Sequence, residues 1–396
     1  MIQLCVLVLE IILLFYIGFN VAYIFIYSIA GIFYKKTSFS EILVKKHNKF
    51  VILIPSYKHD SVILNSVGHN LRQNYPADKF DIIVIADSLQ DATITNLRNQ
   101  SVQVIEVAFE ESTKAKSINA ALTFLPDHVY DYCLVLDVDN IIEDDFLSKI
   151  NARLQNDEMI IQGHRTAKNL DTPFAILDGL SEEINNHIFR KGHVVLGVTS
   201  ALSGSGQAMK YQAYKDLMRE IQSSVEDKEL EFSLVKNRIK VQFENDALVY
   251  DEKVQNAAVF SSQRTRWVAS QFFDFNSVLR SGIFHLLIHG NFDFFDKALQ
   301  RVILPRILLI GLSFLSCLVI FLPFTQLGWY FISLFGMCSF AYIVAIPRSY
   351  YSMNTLKATF KLIQAFRLMV VAMSKSKSGA KTFIHTEHSS TLNNKK

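Results

Sequence analysis

Residues 2–34 are almost continuously apolar, and Glu10 is the only charge among them. A run of that kind has to leave water. Crossing a hydrocarbon layer takes about 20 residues, and this run is longer. A cleaved signal peptide would open with basic residues and carry a shorter apolar core ending in small residues. Here the first basic residue is Lys35. Two further apolar segments come late, roughly 302–324 and 327–346, joined by a turn near 323–326 that is too short for anything but a hairpin. The chain is therefore expected to be anchored in a membrane near both ends.

The placement of Lys and Arg sets the expected orientation. Lys35, Lys36, Lys45 and Lys46 follow the first span, Arg301 and Arg306 open the second, and Arg348 follows the third. The N-terminus and the turn near Gln326 carry none. All basic flanks share one side, which points to the cytoplasm. The expectation is a multi-pass protein of the cell inner (plasma) membrane, N-terminus out, with a large cytoplasmic domain and the C-terminus in.

Half of the 396 residues are hydrophobic, more than an ordinary soluble chain carries. The formal net charge of +3 is too small a basic excess to argue for nucleic acid. Cys5, Cys133, Cys317 and Cys338 form neither a disulfide ladder nor a CxxC metal pattern. They read as packing residues in a reducing compartment.

Between the anchors the pattern alternates. Short apolar runs at 50–54, 82–85, 102–107 and 133–136 read as strands, and 62–73 and 116–124 as helices. This rhythm predicts an α/β sheet with helices on both faces. Polar residues cluster after Ile54, Ile85 and Leu136, where such sheets bind ligands. The Phe-rich stretch 275–301 suits the membrane interface. Residues 356–373 repeat apolar side chains near helical spacing, with Lys357, Lys361 and Arg367 between them. That basic content favours a helix lying on the cytoplasmic face over a fourth span. The tail from 374 is mostly polar.

Four short motifs lie on this frame. Asp137-Val138-Asp139 follows a strand, and residues two apart on extended backbone point the same way. Two such carboxylates can share one divalent cation, and Mg²⁺ takes one or two carboxylates together with substrate phosphates. The plain alternative is a loop that caps the next helix. Ser203-Gly204-Ser205-Gly206 is either a site loop or a tight turn. Glu226-Asp227 opens a helical stretch, where the dipole favours acids. Asp227 is the candidate general base, with Glu229 and Glu231 as alternative carboxylates. In Gln263-Arg264-Thr265-Arg266-Trp267, residues 263, 266 and 267 share one helical face. Arg266 suits phosphate oxygens, and Trp267 offers a flat surface for a sugar or for lipid anchoring. Arg264 faces elsewhere.

Taken together, these motifs resemble the membrane-bound family 2 glycosyltransferases, which include cellulose, chitin, hyaluronan and poly-N-acetylglucosamine synthases. The resemblance covers roughly residues 50–267 and the flanking spans. It implies an α/β GT-A nucleotide-sugar-binding domain with a Rossmann-like sheet and flanking transmembrane helices. Asp137-Val138-Asp139 then corresponds to the family's DxD, Glu226-Asp227 to its ED pair, and 263–267 to its QxxRW. Tyr57 in Pro55-Ser56-Tyr57-Lys58 would lie against uracil, with Asp60 in the acidic part of that motif. Lys58 replaces the usual Asn. Asp87 would contact the base or ribose. Lys114 aligns with a phosphate-side lysine, and Lys116 stands where glycine is common. Gln162-Gly163-His164-Arg165 and Asp251-Glu252-Lys253 are polar and near the site, without an assigned role.

The domain expectation is an N-terminal transmembrane helix at 1–34, a cytoplasmic GT-A domain at 35–274 and an interfacial segment at 275–301. A helical hairpin at 302–346 and an interfacial helix with a polar tail at 347–396 complete it. The expected activity is inverting, metal-dependent transfer from a UDP-sugar to a membrane-associated glycan or lipid acceptor in cell-envelope polysaccharide synthesis. Mg²⁺ or Mn²⁺ is held by Asp137 and Asp139. UDP-GlcNAc and UDP-glucose are the leading donors, and Asp137, Gln263, Arg266 and Trp267 complete the donor site. A second copy or an export partner would supply what so few spans cannot. The alternatives are a single-addition enzyme making a glycolipid and a non-catalytic scaffold of an export complex.

Overall fold

The computed structural model describes residues 2–221, 223, 225–257, 259–260, 263–265, 275–321 and 325–379. They form two compact units. One takes residues 35–169 and 199–252; the other takes those up to 34, 170–198, and those from 253 onward. The segment 170–198, expected within the α/β domain, thus packs with the terminal apolar helices.

The first unit is a mixed sheet of eight strands. In chain order these are β1 (Phe50–Tyr57), β2 (Phe80–Asp87), β3 (Gln103–Val107), β4 (Tyr132–Val135), β5 (Ile141–Ile142), β6 (Ile160–Ala167), β7 (Gln207–Lys210) and β8 (Gln242–Asp251). Their spatial order is β3-β2-β1-β4-β7-β6-β8-β5. The first four are parallel, β7 runs against β4 and β6, and β6 and β8 are parallel. Helices α2 (Asp60–Asn70), α3 (Asp91–Arg98) and α4 (Lys114–Phe124) make the crossovers between the first four strands, and α5 (Phe146–Leu154) and α8 (Tyr211–Met218) belong to the same unit. Strand order reverses beside β1, with β2 on one side and β4 on the other. That switch point opens a crevice at the carboxyl ends.

The apolar runs are continuous because both faces of the sheet are covered. Phe50, Ile52 and Ile54 enter one core cluster, while Val51 and Leu53 enter the other. Strand β1 runs through Pro55 to Tyr57 instead of stopping before the proline. Pairing with β4 ends at Leu53, so Pro55 falls where β1 has a neighbour on one side only, which a residue without N–H tolerates.

The second unit gathers α1 (Ile2–Ile32), α6 (Pro173–Asn185) and a π-helical turn at Asn186–Gly192 leading into α7 (His193–Val195). Thr172 caps α6 by accepting from Ala175 N, and Pro173 supplies a preset first turn. The helices Gln3–Ile32 and Gly328–Ala345 are long and apolar enough to cross a membrane, judged by length and composition. The segment expected at 302–324 is helical from Arg306 among the described residues. Its helix begins there because Pro305 has no N–H to extend a helix backward, and among the described residues the apolar stretch runs Arg306–Phe321.

The two long helices run parallel. Gln326 N donates to Glu10 Oε2 at 3.3 Å, Gly18 lies against Leu334, and Ser28 Oγ donates to Ala341 O at 2.6 Å. The ends that precede Lys35 and Arg348 therefore lie on the same side. Glu10 is 2 % exposed. The expected helix at 356–373 breaks into Met353–Thr359 and Leu362–Gly379. Its small residues Ala358 and Ala365 pack inward, and Leu356, Phe360 and Ile363 stay exposed.

Candidate active site

All of the site lies within the α/β unit, at the carboxyl edge of the sheet. Tyr57 and Asp87 are register partners at the ends of β1 and β2. Both strands then turn sharply: Lys58 and Ser88 take left-handed φ values of 57° and 58°. Lys58 N donates to Asp87 O at 3.1 Å, and the Lys58 ammonium sits 4.9 Å over the Tyr57 ring. Asp87 is fully buried. Its Oδ1 accepts from Ser88 Oγ at 3.1 Å, while its Oδ2 is buried without a hydrogen-bond partner. A buried carboxylate oxygen left open at a strand end is suited to a donor on a ligand. Asp60, in the first turn of α2, accepts from Gln90 N at 2.8 Å and ties the two loops together.

Asp137 follows β4 in a tight turn, with Asn140 N donating to Asp137 O at 3.0 Å. The 203–206 loop braces this turn. Asp137 N donates to Ser205 Oγ at 3.0 Å, and Ser205 Oγ donates to Asn140 Oδ1. Gly206 N donates to Val135 O at 2.8 Å. Gln162, fully buried on β6, clasps the loop from below: its Nε2 donates to Ser205 O and its Oε1 accepts from Ser203 N. The small residues are thus a scaffold as well as a turn.

Lys114 is the hub. Thr113 caps α4, and Lys114 follows as the first helical residue, where the dipole disfavours a cation. Acidic partners explain it. Its Nζ donates to Asp137 Oδ1 at 2.5 Å and to Gly204 O at 2.7 Å, and lies 3.6 Å from Glu226 Oε1. Burial works against this charge, yet Asp137, Glu226 and Asp227 more than offset it and hold the amine above its usual range. On the other flank of Asp137, Arg165 NH1 lies 4.0 Å from Oδ2 and donates to Ser203 O at 3.4 Å. Arg165 Nε lies 3.9 Å from Asp251 Oδ2. Sequence reasoning left the Gln162–Arg165 and Asp251–Lys253 runs without a role. Their contacts with the acidic turn cross from β6 and β8, so only strand pairing reveals them.

Glu226 and Asp227 open α9 (Glu226–Lys236). Burial pushes the Glu226 carboxyl up to about 7; the Lys114 ammonium opposes this, and the adjacent Asp227 carboxylate adds to it. Asp227 packs on Gly204, whose φ is +74° and whose Cα would carry a side chain 3.4 Å from Asp227 Cβ. Of the alternative carboxylates, Glu231 is engaged in structure. It is 3 % exposed, accepts from Leu202 N at 3.0 Å and pairs with Lys228 at 3.1 Å.

Asp139 is 3 % exposed. Asn140 Nδ2 donates to its Oδ1 and Glu252 N to its Oδ2, both at 3.3 Å. Among the described residues no third His, Cys, Asp or Glu joins the pair as a metal-binding group. The donor chemistry fits one divalent cation whose shell is completed by substrate phosphates. The Lys114 ammonium against Asp137 is a stand-in positive charge at that carboxylate. Gln263 belongs to the other unit, where its Oε1 is buried without a partner. Arg264 is buried against Asp178 and stacks over Phe260. Arg266 and Trp267 lie outside the described residues.

A switch-point crevice carrying an open buried carboxylate, an acidic turn and a half-buried lysine is the layout of a GT-A nucleotide-sugar transferase. The profile described as Glycosyltransferase like family 2 matches residues 47–270, more than half of the chain. The chain belongs to that family and is a nucleotide-sugar-dependent glycosyltransferase. Among solved structures it is similar to the mannosyltransferase PcManGT from Pyrobaculum calidifontis in complex with GDP-Man and Mn²⁺. That match has 13 % identity and a TM-score of 0.54, covering 93 % of this chain and 99 % of the other. It is also similar to S. aureus TarS 1-349 in complex with UDP-GlcNAc, at 14 % identity and a TM-score of 0.40, covering 84 % of this chain and 92 % of the other. No curated protein gives a significant match.

Proposed function

We propose that the chain is an inverting glycosyltransferase that moves a sugar from a UDP-sugar to a membrane-associated acceptor in cell-envelope glycan synthesis. The observation that carries this reading is the cluster around Lys114, whose ammonium hydrogen-bonds the acidic turn at Asp137 and the Gly204 carbonyl and lies 3.6 Å from Glu226 at the start of α9. Tyr57 and Asp87 hold the nucleoside, with Asp60 fixing the loop between them. Lys114 meets the diphosphate. Asp137 and Asp139 hold Mg²⁺ or Mn²⁺, which when bound would neutralise charge growing on the departing diphosphate. Asp227, packed on Gly204, takes the proton from the acceptor hydroxyl as that hydroxyl attacks the anomeric carbon. A single displacement of this kind inverts the anomeric configuration.

The acceptor is membrane-associated in this reading because two parallel helices are of spanning length and carry their basic flanks on a common side. That side is the cytoplasm of the inner membrane. With two such helices among the described residues, a lipid-linked acceptor, or an export partner or second copy, is favoured over a channel of the chain's own making. The test is UDP release by detergent-purified protein with a panel of UDP-sugars, with Mg²⁺, Mn²⁺ or EDTA, and with membrane lipid extract as acceptor. Metal-dependent release with one donor is expected, and sizing the labelled product separates polymer from glycolipid. Release that persists unchanged in EDTA would refute the metal role. Binding of UDP without release from any donor would favour the scaffold alternative.

A further inference from the structure

We propose that Lys114 gates the metal: its ammonium occupies Asp137 in the donor-free enzyme and must transfer to Glu226 before Asp137 can take a divalent cation. This rests on the donor-site reading above and adds its order of assembly. The geometry is specific. Lys114 Nζ is 2.5 Å from Asp137 Oδ1, and the Gly204 carbonyl at 2.7 Å holds it there. Arg165 stands 4.0 Å from the other oxygen of the same carboxylate. A divalent cation approaching Asp137 alone meets one carboxylate oxygen already taken and two positive charges beside it. The alternative berth is close: Glu226 Oε1 lies 3.6 Å from the same ammonium, with its side chain only 14 % exposed. A nucleotide diphosphate changes the balance. Its phosphates bring anionic ligands for the cation and offset the charge of Lys114 and Arg165. Cation and diphosphate therefore bind together, and the cation binds poorly alone.

The experiment is Mn²⁺ binding followed by the electron paramagnetic resonance signal of the free ion, on the full chain in detergent, with and without UDP. Wild type should bind Mn²⁺ weakly alone and much more tightly with UDP. In Lys114→Met, Mn²⁺ alone should bind at least about tenfold more tightly than in wild type, the scale of a lost charge-assisted hydrogen bond to the competing ammonium. Glu226→Gln, which removes the berth, should weaken Mn²⁺ binding in the presence of UDP and leave Mn²⁺ alone unchanged. Thermal melting checks that each variant is folded, and Glu226→Gln tests the gate by itself if Lys114→Met does not fold. If wild type binds Mn²⁺ with UDP while Lys114→Met gains nothing for Mn²⁺ alone, the gate is overturned and the metal reading stands. The gate is also overturned if Glu226→Gln changes neither measurement. If wild type binds no Mn²⁺ even with UDP, the donor-site reading itself falls.

Discussion

Asp87 offers the sharpest test of the nucleotide site, because its two expected effects have opposite signs. The carboxylate is fully buried, and one of its oxygens has no hydrogen-bond partner. If that oxygen accepts a hydrogen bond from the nucleoside, Asp87→Asn replaces a charged acceptor by a neutral group. A hydrogen bond to a charged group contributes about 1.5–3 kcal/mol. At about 1.4 kcal/mol per tenfold, the UDP dissociation constant should rise roughly 10- to 150-fold. The free protein should behave differently. An unpartnered buried charge is more costly than an unpartnered neutral amide. Asn also keeps an acceptor for the Ser88 hydroxyl, which donates to Asp87 at 3.1 Å. The variant without ligand should therefore melt at or above the wild-type temperature. Both effects appear in one melting experiment with and without UDP. At UDP one hundred times the wild-type dissociation constant, binding stabilises wild type by about 2.7 kcal/mol. A variant that binds thirtyfold more weakly gains only about 0.9 kcal/mol. Calorimetric titration of UDP gives the affinity directly. A variant that melts lower without ligand and yet keeps its UDP affinity would refute the reasoning, since Asp87 would then be a structural strut.

Asp227→Asn should lower kcat by about 10²–10⁴ while UDP binding stays within a few-fold, measured by UDP release and by titration; full turnover would remove Asp227 as the base. Gly204→Ala places a side chain on a left-handed residue and against Asp227, and should reduce stability by about 1–2 kcal/mol and turnover more than donor affinity. A variant with unchanged melting and kcat would mean the loop adjusts freely. The raised Glu226 carboxyl predicts a pH slope. The folded chain holds this proton up to about pH 7, whereas an unfolded Glu releases it near about 4.3. Between those values the folded state binds more protons, so this contribution is complete below the lower value and lost as pH rises through the upper one. Melting temperatures from pH 5 to 7.5 should show that decline in wild type and a flatter profile in Glu226→Gln; parallel profiles would contradict the assignment.

Most of the parallel half of the sheet was legible because β1, β2 and β4 are buried on both faces, so Phe50–Ile54 and Ile82–Ile85 appear as unbroken apolar runs. The second half was not. Strands β6, β7 and β8 mix polar and apolar residues, with Gln162, Gln207 and Glu244 buried among them. Gln162 and Glu244 hold loops together instead of filling core, Gln162 the 203–206 turn and Glu244 the segment at Thr37. The acidic pair, the ED step and Lys114 could be picked out singly. Their convergence could not, since it joins residues 23 and 90 positions apart through one ammonium. A lysine opening a helix, where the dipole works against it, was the local signal of hidden acidic partners. Spacing alone makes Asp139 equivalent to Asp137. The turn at Asn140 instead leaves Asp137 partly open and buries Asp139 under the backbone of Glu252.

The apolar unit adds a different kind of argument. Basic flanks alone place Lys35, Lys36 and Arg348 on one side, and that rule concerns loops, not packing. The contacts of Glu10 with Gln326, Gly18 with Leu334 and Ser28 with Ala341 concern packing alone, and they order the two long helices in parallel. Helix packing by itself thus shows the two long helices parallel. The same register accounts for Glu10. A carboxylate inside an apolar helix is tolerated where it turns inward to a hydrogen-bond donor. The turn ahead of the second helix supplies one in the Gln326 backbone N–H. Had the helices run antiparallel, the end of α1 near Glu10 would face Ala345 and the chain leaving toward Arg348, where a helix C-terminus offers acceptors and not donors.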